Sequence, residues 1–188
     1  MSKVDKQTFT VPLHLACAKS DGISPVFEYI FFIDGNAYAS DGRILIEQSI
    51  EEYCHIIDAH KLNGNALHSD TYKMAMKCNM VVAEDEGIRC YTKTQQEVFI
   101  PYPILVNRGI EKIPDFKGIL AASEPLPAAH IGISPKYLAI ADKVLVHDKT
   151  EPVKCTLQGD RQPIIITVPG RPSQRMLWMP CMVSDVDI

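Results

Sequence analysis

The chain has 188 residues, of which 46% are hydrophobic and 22% charged, and a net charge of -4. That length holds one domain or two small ones with a real core, and the composition excludes a disordered or fibrous chain. The acidic balance excludes a protein that coats nucleic acid by bulk attraction, which needs a surplus of Lys and Arg facing phosphates.

Residues 1–10 are polar and carry no apolar targeting core, and no stretch reaches the 18 apolar residues of a membrane span, so the expected location is the cytoplasm. In chain order, residues 13–19 predict a short helix with Leu13, Ala16 and Cys17 on one side. Residues 27–33 form an apolar, aromatic strand that ends in Asp34-Gly35, a dipeptide suited to a tight hairpin. Residues 36–40 return, and a second Asp-Gly pair, Asp41-Gly42, leads into a third strand over 43–50. Residues 59–78 contain a helix interrupted by Asn63-Gly64-Asn65.

The same three-strand grammar returns at 80–84, 88–93 and 97–102, and again at 153–157, 163–168 and 175–183. Turn residues at 85–87, 94–96, 158–160 and 169–173 separate these strands, and a proline-rich stretch, 103–129, lies between the second and third sets. The clearest helix is 134–146: Ser134 suits its cap, Pro135 its first position, and Tyr137, Leu138, Ala141, Val144 and Leu145 make an apolar stripe, with Lys136, Asp142 and Lys143 outside it. Residues 57–62 and 133–138 align as an apolar strand end, a capping residue and a basic residue entering a helix. With residues 8–12, they predict three successive strand, helix, three-strand units.

Four segments, in the right order and spacing, resemble the bacterial DNA polymerase processivity clamp. Phe9-Thr10-Val11-Pro12 resembles the start of its middle domain, and Ala39-Ser40-Asp41-Gly42-Arg43-Ile44-Leu45 its Ala-Thr-Asp-Gly-His-Arg-Leu strand, without the family's His. Ile113-Pro114-Asp115-Phe116-Lys117 is similar to the Phe-Pro-Asp-Tyr-Arg segment that joins the middle domain to the last. Leu177-Trp178-Met179-Pro180-Cys181-Met182 is similar to the final strand with its Met-Pro-Met, here interrupted by Cys181.

The resemblance implies an α+β, DNA clamp-like fold of repeated β-α-β-β-β units, with antiparallel sheets and helices on one face. Residues 1–112 correspond to the middle domain and 113–188 to a closing half-domain. It further implies a peptide-binding pocket with Gly42, Arg43 and Leu45 on one side and Met179, Pro180 and Met182 on the other, and DNA-facing lysines at Lys19, Lys61, Lys136 and Lys143. The implied partners are duplex DNA, clamp-binding peptides of DNA polymerases or repair proteins, and further copies of the chain, with no membrane and no cofactor. A clamp-fold scaffold that binds peptides or self-associates without DNA is the alternative.

Catalytic motifs are absent: there is no G-x-S-x-G, phosphate loop, H-E-x-x-H or nucleotide fingerprint. Cys17, Cys54, Cys78, Cys90, Cys155 and Cys181 are scattered singly, as reduced apolar side chains are, with no C-x-x-C pair. His14 with Cys17, and Cys54 with His55, are the pairs from which a metal site or a nucleophile and base would be built, and His55, His60 and His68 form a loose third group. None has closed-site spacing, so the expectation is neither zinc nor catalysis. A small enzyme or metal protein with an unfamiliar site stays as the contrasting class.

Overall fold

The computed structural model describes residues 6–19, 24–94, 96–121, 125–126, 131–148, 151–159 and 161–181. Its first three strands, β1 (Tyr29–Ile33), β2 (Asn36–Ser40) and β3 (Ile44–Ser49), form an antiparallel meander. The β1–β2 loop is Asp34-Gly35, with φ of 49° and 80°. Positive φ at both central residues gives the turn a twist that matches the flanking strands. A four-residue helix, α1 (Ile50–Tyr53), follows β3 and is capped by Ser49.

The interrupted helix expected over 59–78 resolves into three pieces. Ala59–Leu62 is a 3-10 turn, β4 (Ala66–His68) is a strand paired with β1, and α2 (Ser69–Ala75) is the helix proper. Asn63 and Gly64 break the helical run, and the edge of β1 recruits the residues that follow. Next come β5 (Met80–Ala83), β6 (Gly87–Tyr91) and β7 (Glu97–Pro101), a separate three-stranded antiparallel sheet.

The proline-rich stretch contains an unforeseen helix, α3 (Phe116–Leu120), whose Asp115 side chain accepts from Gly118 N–H at 2.9 Å. The best-predicted helix is α4 (Pro135–Val144), and β8 (Lys154–Thr156), β9 (Ile164–Val168) and β10 (Arg171–Trp178) end the described elements. β10 starts four residues earlier than the sequence suggests. Only Pro169-Gly170 turns, and Arg171 to Ser173 continue the strand through a bulge, one of the places where a strand tolerates a proline such as Pro172.

The larger sheet runs β4-β1-β2-β3-β10-β9-β8, so the first and last meanders meet edge to edge at β3 and β10. Five residue pairs make this seam, from Gln174↔Gln48 to Trp178↔Ile44. The leading strand expected of each unit shrinks to a single bridge, at Gln7, Ile57 and Gly132. Alternation along β3 sends Ile44 and Ile46 to one face and Leu45 and Glu47 to the other. The first face joins α2, α4, the 3-10 turn Leu13–Ala16 and the small sheet in the main core. The second face packs Tyr38, Leu45 and Leu177 under Phe116 and Leu120 of α3.

Two helix expectations need correction. The first helix stops at Ala16 and Cys17 is already extended, so Lys19 is not helical. On α4 the buried stripe is Tyr137, Ile140, Ala141 and Val144, spaced by three or four residues. Leu138 lies off that stripe and is 51% exposed.

Candidate functional site

The β2–β3 turn is the local device around which two cavities are arranged. Ser40 Oγ donates to the Ile44 carbonyl at 2.6 Å and accepts from Gly42 N–H at 3.0 Å. Asp41 Oδ1 accepts from the N–H groups of Arg43 and Ile44 at 3.0 and 3.1 Å, the local capping for which Asp is favoured in turns. Gly42 has φ of 85°, and a Cβ there would lie 3.3 Å from the Phe27 ring, so glycine meets both the backbone and the packing requirement.

On one side of the turn lies a mainly apolar pocket of about 200 Å³. Gly42, Arg43 and Leu45 form one wall, Leu177 and Met179 the one beside it, and Phe27, Pro114, Phe116, Ile119 and Pro163 are among the other lining residues. The walls are tied together by the seam: Leu45 pairs with Leu177, and Met179 N–H donates to the Arg43 carbonyl at 2.9 Å. Four of the six residues expected for a peptide pocket are therefore brought together. Pro180 is half-buried and does not line the cavity, and Met182 lies outside the described residues. Leu45 is 3% exposed and belongs to the core as well as to the pocket wall, whereas Met179 is 41% exposed.

On the other side lies a basic cavity of about 790 Å³, lined among others by His14, Lys19, Asp41, Arg43, Asp70, Lys73 and Lys136. Asp41 Oδ2 accepts from Lys136 Nζ at 3.1 Å and from the Tyr137 hydroxyl at 3.0 Å, which fastens the turn to the start of α4. Burial opposes the charge on Lys136, yet its bonds to Asp41 and Tyr137 leave its pKa above the ordinary lysine value. Burial first, and then the positive charge of Lys73, lower the pKa of His14.

The expected lysines divide. Lys19 and Lys136 share this cavity, Lys143 is exposed further along α4, and Lys61 pairs with Asp85 at 3.5 Å. Lys73, which sequence reasoning passed over, joins the first two because α2 packs against the 3-10 turn Leu13–Ala16.

Burial pushes the Cys17 thiol up, and the Cys54 thiol up to about 12, which disfavours the thiolate that a nucleophile or metal ligand needs. His68 is engaged with Glu28 at 3.3 Å. Among the described residues, no three His, Cys, Asp or Glu side chains gather closely enough to hold a metal ion, and no helix is long and apolar enough to cross a membrane.

The fold recurs in solved structures. The DNA polymerase III β subunit of Pseudomonas aeruginosa superposes with a TM-score of 0.60 at 12% identity, over 90% of this chain and 62% of that one. The Helicobacter pylori β clamp bound to a DNA ligase peptide gives a TM-score of 0.62 at 8% identity, over 97% of this chain and 68% of that one. The chain is a divergent member of the sliding-clamp fold. The Thermotoga maritima β subunit adds a TM-score of 0.56 at 12% identity, over 92% and 63% of the two chains. This clamp-fold chain spans less than two thirds of the Pseudomonas subunit's length. No family model and no curated protein matches its sequence.

Proposed function

We propose that this clamp-fold chain is a non-enzymatic interaction module of DNA replication or repair that captures short peptides of DNA polymerases or repair proteins. The observation that carries this reading is the apolar pocket at the β3–β10 seam, where Gly42, Arg43 and Leu45 lie beside Met179 across a backbone hydrogen bond. An apolar socket with a flexible methionine at its exposed wall suits aliphatic and aromatic anchors of varied shape. The Helicobacter clamp, which shares the fold, is bound to a DNA ligase peptide. In this reading, residues 1–112 act as the middle-domain equivalent and 113–188 as the half-domain, Pro180 and Met182 extend the Met179 wall, and the protein works in the cytoplasm.

Fluorescence anisotropy with a labelled peptide carrying such anchors tests it. Truncating an anchor contact costs on the order of 1 to 3 kcal/mol, so Met179→Ala is expected to weaken binding about fivefold to a hundredfold, while Lys143→Ala leaves it unchanged. Equal affinity for Met179→Ala and the unaltered protein would remove the pocket from the proposal.

Duplex DNA is the second proposed partner. Lys136 and Lys143 stand seven residues apart on α4, two turns and thus one face, and Lys19 lines the same cavity as Lys136. Lys61 completes the proposed set, and self-association would assemble the copies needed to surround a duplex. Phosphate contacts give a salt slope of roughly -0.9 each, so the Lys136→Ala, Lys143→Ala double variant is expected to flatten the slope by about two contacts' worth. Absence of binding at low salt to both linear and circular DNA would leave the scaffold reading in its place.

A further inference from the structure

The apolar pocket and the basic cavity have a common wall. Arg43 lines both, and among the described residues it is the only charged one lining the apolar pocket. Ala18 lines the basic cavity and Phe27 the apolar one, and Ala18 N–H donates to the Phe27 carbonyl at 2.8 Å, so one layer of chain separates them. Across that layer the chemistry changes from aromatic and aliphatic to cationic.

Among the described residues, cations outnumber acids on the second cavity. Lys19, Arg43, Lys73 and Lys136 stand against Asp41 and Asp70 on a chain whose net charge is -4. Asp41 is committed to the turn and to Lys136 and Tyr137. Among the described residues, Lys19, Arg43 and Lys73 make no ion pair. Burial chiefly, and Lys73 after it, lower the pKa of His14 in the same cavity.

We propose that the two cavities form one docking surface, joined at Arg43, and that its partner is a peptide whose apolar anchors are flanked by acidic side chains. The proposal rests on the peptide-capture reading and specifies the partner. A peptide alone carries both chemistries on one short chain: its anchors fill the pocket lined by Leu45, Leu177 and Met179, and its carboxylates reach Arg43, Lys19 and Lys73. A phosphodiester chain satisfies the cations but has nothing to place in the apolar pocket, so the duplex proposed above would share Lys19 and Lys136 without using the joined surface. Charge complementarity across the rim speeds encounter and selects partners.

The test uses three labelled peptides with identical apolar anchors, flanked by Glu and Asp, by Gln and Asn, or by Lys, titrated into the full chain at low and high salt. Exposed ion pairs contribute about two- to fivefold each, so the acidic peptide is expected to bind about tenfold or more tightly than the amide one at low salt, with the gap closing at high salt. Lys73 is exposed on α2 and outside the apolar pocket, so Lys73→Ala keeps the fold and is expected to cut the acidic peptide's advantage about two- to fivefold while leaving the amide peptide unchanged.

Equal affinity of all three peptides overturns the joined surface and leaves peptide capture standing. Failure of all three to bind overturns peptide capture itself. If Lys73→Ala weakens a duplex oligonucleotide and not the acidic peptide, the basic cavity is a nucleic-acid site and the inference is wrong.

Discussion

Leu45 has two roles in this fold, and replacing it with Ala separates them. The side chain is 3% exposed, pairs across the seam with Leu177, and shares a cluster with Tyr38 and Phe116. Buried Leu→Ala changes cost about 2 to 5 kcal/mol, and the loss grows with the cavity left behind. Here the deleted carbons border an existing cavity of about 200 Å³, so fewer packed contacts surround them than in a closed core. The low end of the range, about 2 to 3 kcal/mol, is the expected loss. In a chain of this size each kcal/mol moves Tm by about 2 to 4 °C, which gives a fall of about 4 to 12 °C. Met179, 41% exposed on the adjoining wall, should tolerate the same change within about 0.5 kcal/mol. Urea unfolding followed by circular dichroism, with calorimetry on the same samples, measures both. An equal loss for Leu45→Ala and Met179→Ala would refute the packing described for the second face of the sheet.

Three other outcomes follow from the described contacts. Glu47 accepts from the buried Tyr38 hydroxyl at 2.8 Å and pairs with the partly exposed Arg175, so Glu47→Ala should cost about 1 to 3 kcal/mol in urea unfolding, and Arg175→Met added to Glu47→Met should recover part of it. His14 is held by burial and by Lys73 below its ordinary value of 6.5, so the unfolded chain binds more protons in acid. Stability should therefore fall as pH drops below about 6.5, and His14→Gln should reduce the difference in unfolding free energy between about pH 7.5 and about pH 5.5. Cys155 and Cys181 are exposed whereas Cys17, Cys54, Cys78 and Cys90 are buried, so timed iodoacetamide labelling read by mass spectrometry should find two fast thiols and four slow ones.

The turns were the most legible part of the chain, because Asp34-Gly35 and Asp41-Gly42 carry their backbone demands in their own side chains. The helix at 134–146 was legible for a similar reason, with its serine, proline and periodic stripe all local. Its solvent side was misread: Leu138 is apolar yet sits off the buried stripe, and hydrophobicity without angular position cannot tell the two apart. β4 was missed because Ala66, Leu67 and His68 have no strand pattern alone and become a strand only by pairing with β1, some forty residues away. α3 was hidden among prolines, and its cap, Asp115, had been read only as part of a family motif. For the site, two short motifs brought Gly42, Arg43, Leu45 and Met179 within view. Lys73 and Phe27 were invisible, since what joins them to Arg43 is the packing of segments that share no local signal.

The position of β10 has a consequence for how the protein is made. It lies in the interior of the larger sheet, between β3 and β9, yet among the described strands it follows all the others in chain order. Gln174 and Gln48, which face each other in it, are 126 positions apart. Until β10 arrives, β3 is an open edge with unpaired backbone groups, and Leu45 and Ile46 lack Leu177 and Met176, their neighbours on that side. Such long-range closure is slow, and the nascent chain carries a sticky edge until residues 171–178 emerge, so a ribosome-bound intermediate ending before residue 171 is the species a chaperone would be expected to hold.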